Sequence, residues 1–591
     1  MRLGTVVVAL GLWCLPRIAV AEDPEGADLR LSCDLPTAAA EDDAGLELSC
    51  VQPAVPVVDT SGVQFSYAPY DVPAEHEVAV PDDAALEASG AVIGTITIDA
   101  GSIFDPEKPG EDKAVFRAAN KLHRTTRERV IRRELTFRPG DPYSRSALDE
   151  SERHLRHVGY LYDAVVRPTR YDGHAVDILV STRDVWTLRP AAGFKRNGGV
   201  NTFHFGLHDA NFLGLGKRVE IERVNGIDRT ETGVSYFDRG LAGTHAKLEL
   251  GYSNNSDGTA SLLALERPFW RRDESWGAGI RGEDGDRIDP LYALGEVTSR
   301  YHLSRTLFAG WFGHRVGGDG PIVTRLLAGF TFDRSLFDPT PETTVLPQDR
   351  TLSYPWIGMA FIHEGYIKAH DMDKLGRTED FDLGRELEAQ IGWSSPSFGA
   401  DRNAAIVSLT GRLGASPGRG QVFTFDASTT GRIASSGVED GRLDATARYY
   451  HREGDRRLFY AAVTGSASSN ADADHQILLG GDNGLRGYPL RYATGDRSLL
   501  LTLEERFYLD REFFHLVRFG AAVFADVGKA WSESPQPSSH LGVLRDLGFG
   551  LRFGQTRSAH AALLRIDFAM PFDALSGSRH PQIVVSTGET F

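Results

Sequence analysis

The chain has 591 residues, a formal net charge of −17 and three cysteines. That acidity argues against nucleic acid as a partner, and no segment after the N-terminus reaches the roughly 18 to 20 apolar residues of a transmembrane helix. With 63 glycines, 10% aromatics and 4 methionines, and with short alternating segments between polar turns, the long C-terminal part reads as a large β structure, soluble or membrane-embedded.

The first 21 residues, MRLGTVVVALGLWCLPRIAVA, carry Arg2, an apolar run from Val6 to Leu15 and a small-residue ending, Ala19-Val20-Ala21. This is the pattern of a Sec-type signal peptide cut before Glu22. Cys14 lacks a small residue before it and so does not mark a lipoprotein site. Cys33 and Cys50 remain, and in an exported chain they either pair into a disulfide closing a short acidic loop or stay free. Residues 22–90 hold sixteen Asp or Glu against Arg30 alone, which is −15 of the −17. Such a Pro- and Ala-rich acidic stretch buries too little apolar surface to offset its ordering entropy, so it reads as a disordered tail or linker.

A small domain follows over 91–187. Val92 to Ile98 reads as a strand and Asp105 to Glu111 as a Pro/Gly-bearing insertion. Thr125 to Phe137 reads as a helix burying Val130, Ile131 and Leu135, stopped by Pro139-Gly140-Asp141-Pro142. A second helix starts at Ser144 or Ser146, turns Leu148, Leu155 and Val158 inward and stops at Gly159. Asp163 to Arg167 and Ala175 to Ser181 form a hairpin through Asp172-Gly173. No catalytic constellation occurs in this domain. Recognition of a client segment at an exposed sheet edge suits it better, and the basic face with Arg127, Arg129, Arg132 and Arg133 is solvated or meets acidic surfaces.

Residues 188–591 run as short alternating segments, and one stretch stands out: Gly480-Gly481-Asp482-Asn483-Gly484-Leu485-Arg486-Gly487-Tyr488-Pro489. Four glycines let the backbone turn tightly around a single arginine. Two alternating segments come next. In Ser498 to Tyr508, Leu499, Leu501, Leu503 and Phe507 share one face, continued by Leu509, while Ser498, Thr502, Glu504 and Arg506 share the other. Glu505 breaks the apolar face, which calls for a bulge or a place near an interface. In Arg518 to Gly528, Asp526 and Arg518 lie opposite Val523 and Val527. An arginine loop followed by two strands offering carboxylates suggests a loop pinned inside by a buried ion pair; a surface loop with a solvated arginine is the alternative.

The runs TRERVIRRELTFRPGDPYS and LDESERHLRHVGYLYDAVV resemble a POTRA domain of the BamA/TamA superfamily of outer-membrane proteins. The segment Asn211 to Gly216 resembles an early glycine-rich hairpin of its barrels, and the Leu485-Arg486-Gly487-Tyr488 loop resembles its signature. The resemblance implies a mainly β protein: one α+β POTRA domain before a transmembrane antiparallel barrel of about sixteen strands, with Phe591 as the C-terminal assembly signal. It also implies a lumenal lock of Gly481, Arg486, Gly487, Tyr488, Glu504 and Asp526, in which Arg486 meets the two carboxylates. The implied function is insertion or translocation of polypeptides at the outer membrane, through a seam between first and last strands that offers its edge to incoming hairpins. Its partners would be outer-membrane lipid and client polypeptides, with periplasmic chaperones or accessory lipoproteins as further candidates. A dedicated two-partner-type secretion pore and a passive structural barrel are the competing readings.

Three motifs fail on context. Gly414-Ala415-Ser416-Pro417-Gly418 fits the hydrolase pattern but has barrel-like flanks and a proline after the serine. His363-Glu364 and His370 are spaced wrongly for a zincin, and Asp371-Met372-Asp373 has no EF-hand continuation. The chain reads as a non-enzyme without metal, nucleotide or other cofactor.

Overall fold

The computed structural model describes residues 80–588, except 319–321, 533–540, 560–562 and 576–577. The expected signal peptide, Cys33, Cys50 and Phe591 lie outside the described residues.

The N-terminal domain contains α1 (Asp83–Ala88), β1 (Val92–Gly101), α2 (Ala114–Leu122), α3 (Glu128–Arg133), α4 (Arg145–His157), β2 (Leu161–Tyr171) and β3 (Ala175–Asp184). Its sheet runs β1-β3-β2, with β1 parallel and β2 antiparallel to the central strand. Alternate residues Val176, Ile178 and Val180 of β3 pack against Val130, Ile131, Leu148 and Leu155 from the helices, all buried.

Three expectations are corrected here. The tail reading ran to residue 90, yet α1 starts at Asp83 and buries Leu86 completely, capped by the Asp82 carboxylate on Ala85 N–H at 2.8 Å. The helix read over 125–137 is only α3, because tertiary hydrogen bonds claim both of its ends. Thr126 gives its N–H and hydroxyl to Asp184 at 2.7 and 2.8 Å, and Thr136 N–H donates to Ser151 Oγ at 2.8 Å. An extra helix, α2, lies between the insertion and α3. The second helix is better matched: α4 ends at His157, and Gly159 takes a positive φ of 82°.

Twenty strands, from Leu188–Asn197 to Gln582–Gly588, pair antiparallel and close into a barrel. The expected sixteen is therefore too low by four. That figure came with the resemblance, whereas between Leu188 and Arg267 alone the chain makes six strands of nine or ten residues joined by short turns. Fifteen strands precede the arginine loop and five follow it, so chain entry and final strand end lie on the same side. The inside–outside alternation holds. Leu499, Leu503, Phe507 and Leu509 are 36–53% exposed on the outer face, whereas Thr502, Glu504 and Arg506 are buried inside. Glu505, on the outer face, is ion-paired at 3.1 Å to Arg457, the first residue of its strand at the rim facing the N-terminal domain.

The N-terminal domain is seated on that rim. Asn211 is buried in the turn before the third barrel strand and donates to Thr126 Oγ1 at 2.8 Å, while Arg127 N–H reaches Gly214 O at 3.0 Å. A Cβ at Gly214 would lie 2.5 Å from Thr125 O, so only glycine fits this approach. Farther round, Trp270 of a rim turn is sandwiched between His154 of α4 and His245, with ring centroids 4.5 and 4.2 Å away. Burial holds His154 down at about 4, helped by the nearby charges of Arg153 and His157, and burial also lowers His245. Because the folded value lies below the ordinary 6.5, this neutral stack contributes fully above pH 6.5 and is lost as pH falls toward 4. We expect domain docking to weaken by roughly 2 kcal/mol across that window. In His154→Gln, the thermal midpoint of docking should change much less between pH 7 and pH 4.5; an unchanged pH response would assign the effect elsewhere.

Candidate functional site

The arginine loop leaves strand Arg457–Ser469, forms a short ladder between Ile477–Leu479 and Ala493–Gly495, and returns as strand Arg497–Phe513. It starts on the side away from the N-terminal domain. Local bonds shape it: Gly480 N–H donates to Asn483 Oδ1 at 2.6 Å, and Gly481 N–H to Pro489 O at 2.9 Å. Arg491 pairs with Asp228 of a neighbouring far-side turn at 2.7 Å. Between these anchors the tip descends into the lumen, where Leu485, Arg486 and Tyr488 are fully buried.

The geometry at the tip is specific. Arg486 gives Nε and Nη2 to the two oxygens of Asp526 at 2.7 and 3.0 Å, a fork on one carboxylate. Its Nη1 reaches Glu504 at 3.1 Å and Asp567 at 3.4 Å, and its plane lies 3.3 Å above the Phe524 ring. Gly487 donates its N–H to Asp546 at 3.0 Å, and a Cβ there would come 2.7 Å from Asp546 Cβ. Tyr488 anchors the tip through its hydroxyl, 2.9 Å from Arg545 O. Of the residues singled out in the sequence, Arg486, Gly487, Tyr488, Glu504 and Asp526 come together here, whereas Gly481 lies higher in the loop against Gly198 of a far-side turn.

Sequence reasoning missed half of the cluster. Arg552 donates to Glu504 at 3.0 Å and pairs with Asp567, while Arg506 donates to the same Glu504 oxygen at 3.0 Å. Three guanidiniums therefore face Glu504, Asp526 and Asp567, and Arg565 and Asp546 are buried beside them, so cations and carboxylates are matched in number within the cluster. The signal was present: Asp567 stands between Ile566 and Phe568, and Arg552 between Leu551 and Phe553, so each is a charge flanked by apolar residues in an alternating strand.

The set-aside motifs fall in turns or at strand ends. Ser416 is exposed, and its hydroxyl donates to Gln421 O at 2.9 Å. His363 ends a barrel strand, whereas His370 donates its Nδ1–H to Arg377 O, 3.2 Å away, in a separate hairpin. Among the described residues, one group has ligand-like spacing, Asp440, Asp472 and His475. Arg432 forks onto Asp472 at 2.7 and 2.8 Å, and Arg442 pairs with Asp440 at 3.0 Å, so guanidiniums already occupy these carboxylates.

Comparison with known proteins agrees with this architecture. Residues 414–591 match the Omp85 superfamily domain, and residues 123–183 match the surface antigen variable number repeat, or POTRA. A putative outer membrane protein assembly factor of Treponema pallidum (strain Nichols) is 29% identical over 129 residues, which is 20% of this chain and 15% of that relative's length. Among solved structures, BamA from Haemophilus ducreyi lacking POTRA domains 1–3 aligns at 14% identity and TM-score 0.37, over 84% of both chains. CdiB from Acinetobacter baumannii aligns at 12% identity and TM-score 0.43, over 84% of this chain and 74% of that one. The last strands of the closed barrel, over residues 414–591, thus carry an Omp85 superfamily domain, and the N-terminal domain carries a POTRA match over residues 123–183.

Proposed function

We propose that this protein helps to insert or translocate polypeptides at the outer membrane, acting without covalent chemistry. In this reading one POTRA domain, within 91–187, and the acidic tail lie in the periplasm, and the Arg486 loop is a lock that holds the lumen shut. The observation that carries the proposal is the contrast around the barrel. Neighbouring strands are zipped by registers such as the seven pairs between the last two strands, while the described residues of the closing seam show one, Val585↔Arg196. A weakly zipped seam lets the first and last strands separate and present unpaired backbone groups to a client hairpin, which satisfies them where lipid cannot. Client folding supplies the free energy, and neither nucleotide nor metal is required.

The test is a reversible staple across the seam. Val585→Cys with Arg196→Cys, with Cys33 and Cys50 changed to serine, places two thiols on opposed residues of the first and last strands. In proteoliposomes the oxidised form should lose assembly of an unfolded client barrel and regain it on reduction. Equal assembly in both redox states would remove the seam from the mechanism. Loss of client export with intact insertion would favour a dedicated secretion pore.

A further inference from the structure

Between barrel strands Arg350–His363 and Arg385–Ser394 the chain makes a long excursion on the rim facing the N-terminal domain, within which Tyr366–His370 and Thr378–Asp382 pair as a separate hairpin. This hairpin has a built tip. The Glu379 carboxylate accepts N–H bonds from Met372, Asp373 and Lys374 at 2.9, 3.1 and 3.2 Å, and Asp371 accepts from Gly376 N–H at 2.5 Å. Ala369, Met372 and Leu375 are buried against Tyr450, Tyr460 and Tyr508, which line the lumen wall. Gly554 admits the tip, since a Cβ there would stand 2.4 Å from Leu375 Cβ.

The hairpin bridges α4 of the N-terminal domain and the lumenal cluster. Toward the N-terminal domain, Arg156 of α4 forks onto Asp380 at 2.5 and 2.8 Å, Lys368 meets Glu152 at 2.9 Å, and Tyr162 donates to Gly376 O at 2.6 Å. Toward the lumen, Arg506 donates Nη1 to Met372 O at 2.7 Å while its Nε holds Glu504 at 3.0 Å. Glu504 in turn holds Arg486. An unbroken run of short polar contacts therefore joins α4, the hairpin, Arg506, Glu504 and the arginine loop.

We infer that residues 364–384 form a relay that couples the seating of the N-terminal domain to the seating of the Arg486 loop, so that pulling α4 away from the rim loosens the loop. Arg506 is the positioning residue in this relay. Without Met372 O it loses a contact that keeps its Nε on Glu504, and the carboxylate that Arg486 needs is held less firmly. This inference rests on the reading of the loop as a lock, and its test separates the two.

A reporter cysteine replaces Leu485, which is fully buried at the loop tip, on a background with Cys33 and Cys50 changed to serine. Labelling by a membrane-impermeant maleimide is timed in nanodiscs without client. The relay is broken in two ways. One variant deletes 365–383 and changes Glu364→Asn; because His363 pairs with Arg385, this leaves Asn-Gly384 as a two-residue turn suited to a hairpin. The other is Arg156→Ala, which leaves the barrel chain intact. Each should raise the labelling rate by about tenfold or more, as expected when a local opening becomes more populated. Arg486→Ala is the reference. If it accelerates labelling while the relay variants that retain a heat-modifiable barrel label like the parent, the relay is overturned and the lock stands. If Arg486→Ala itself labels like the parent, the lock reading falls and the relay with it.

Discussion

Arg486→Ala should turn a quiet, poorly conducting barrel into one with larger, noisy openings in planar bilayers. The substitution strips Asp526 of both its bonds from the loop and leaves Glu504 and Asp567 to Arg506 and Arg552. Breaking a buried pair from one side typically costs about 3 to 5 kcal/mol, because the remaining charge stays desolvated and uncompensated. A loss of that size is enough to unseat a loop otherwise held by Tyr488, Gly487 and the Arg491–Asp228 pair. Arg486→Lys retains the charge without the planar fork and should fall between parent and alanine variant. Identical traces from parent and Arg486→Ala would place the loop outside the conduction path.

Glu111→Ala is expected to release the N-terminal domain from the barrel. Its carboxylate is 1% exposed and serves two arginines from different parts of the chain: Arg183 of β3 at 2.5 Å, and Arg557 of a rim turn at 2.9 Å. It also accepts Asp105 N–H at 2.8 Å. Its removal leaves buried Arg183 without its carboxylate and Arg557 with Glu512 alone at 3.6 Å, a penalty on the order of several kcal/mol. The linker through Trp186, which bonds Arg557 O and Ala559 N–H, should then open. Trypsin should cut after Arg183, buried in the parent, to yield a stable barrel fragment, while heat-modifiability of the barrel persists. If the parent and variant are cut equally slowly, the seating does not depend on this carboxylate.

How much was legible follows from the distance over which each feature is encoded. Arg486, Glu504 and Asp526 could be read because a strand repeats every two residues, so one register assignment places a whole face. Asp567 and Arg552 obey the same rule, but Arg486 and Glu504, which they meet, lie 81 and 48 residues away in sequence. The shortening of the first long helix to α3 was beyond local reading, since Asp184, which holds Thr126, is 58 residues downstream. The hairpin at 364–384 was hidden for another reason: His370, Asp371 and Asp373 were tested as ligands and set aside, although in the structure His370 belongs to the hairpin ladder and the two aspartates to its turn. The strand total could not come from resemblance, because hairpins can be added to a barrel without altering its signature loop.

Strand number also fixes dimensions. Barrel diameter grows roughly in proportion to strand count, so twenty strands in place of sixteen widen the ring by about a quarter and enlarge its cross-section by about half. The four additional strands amount to two up-and-down pairs. They preserve parity, so entry and exit of the chain stay on one face while the perimeter lengthens. One loop has less of such an opening within its span. A barrel of this girth has reason to carry filling elements from both ends, and any polypeptide passing through it would meet a wider aperture than the family signature alone implies.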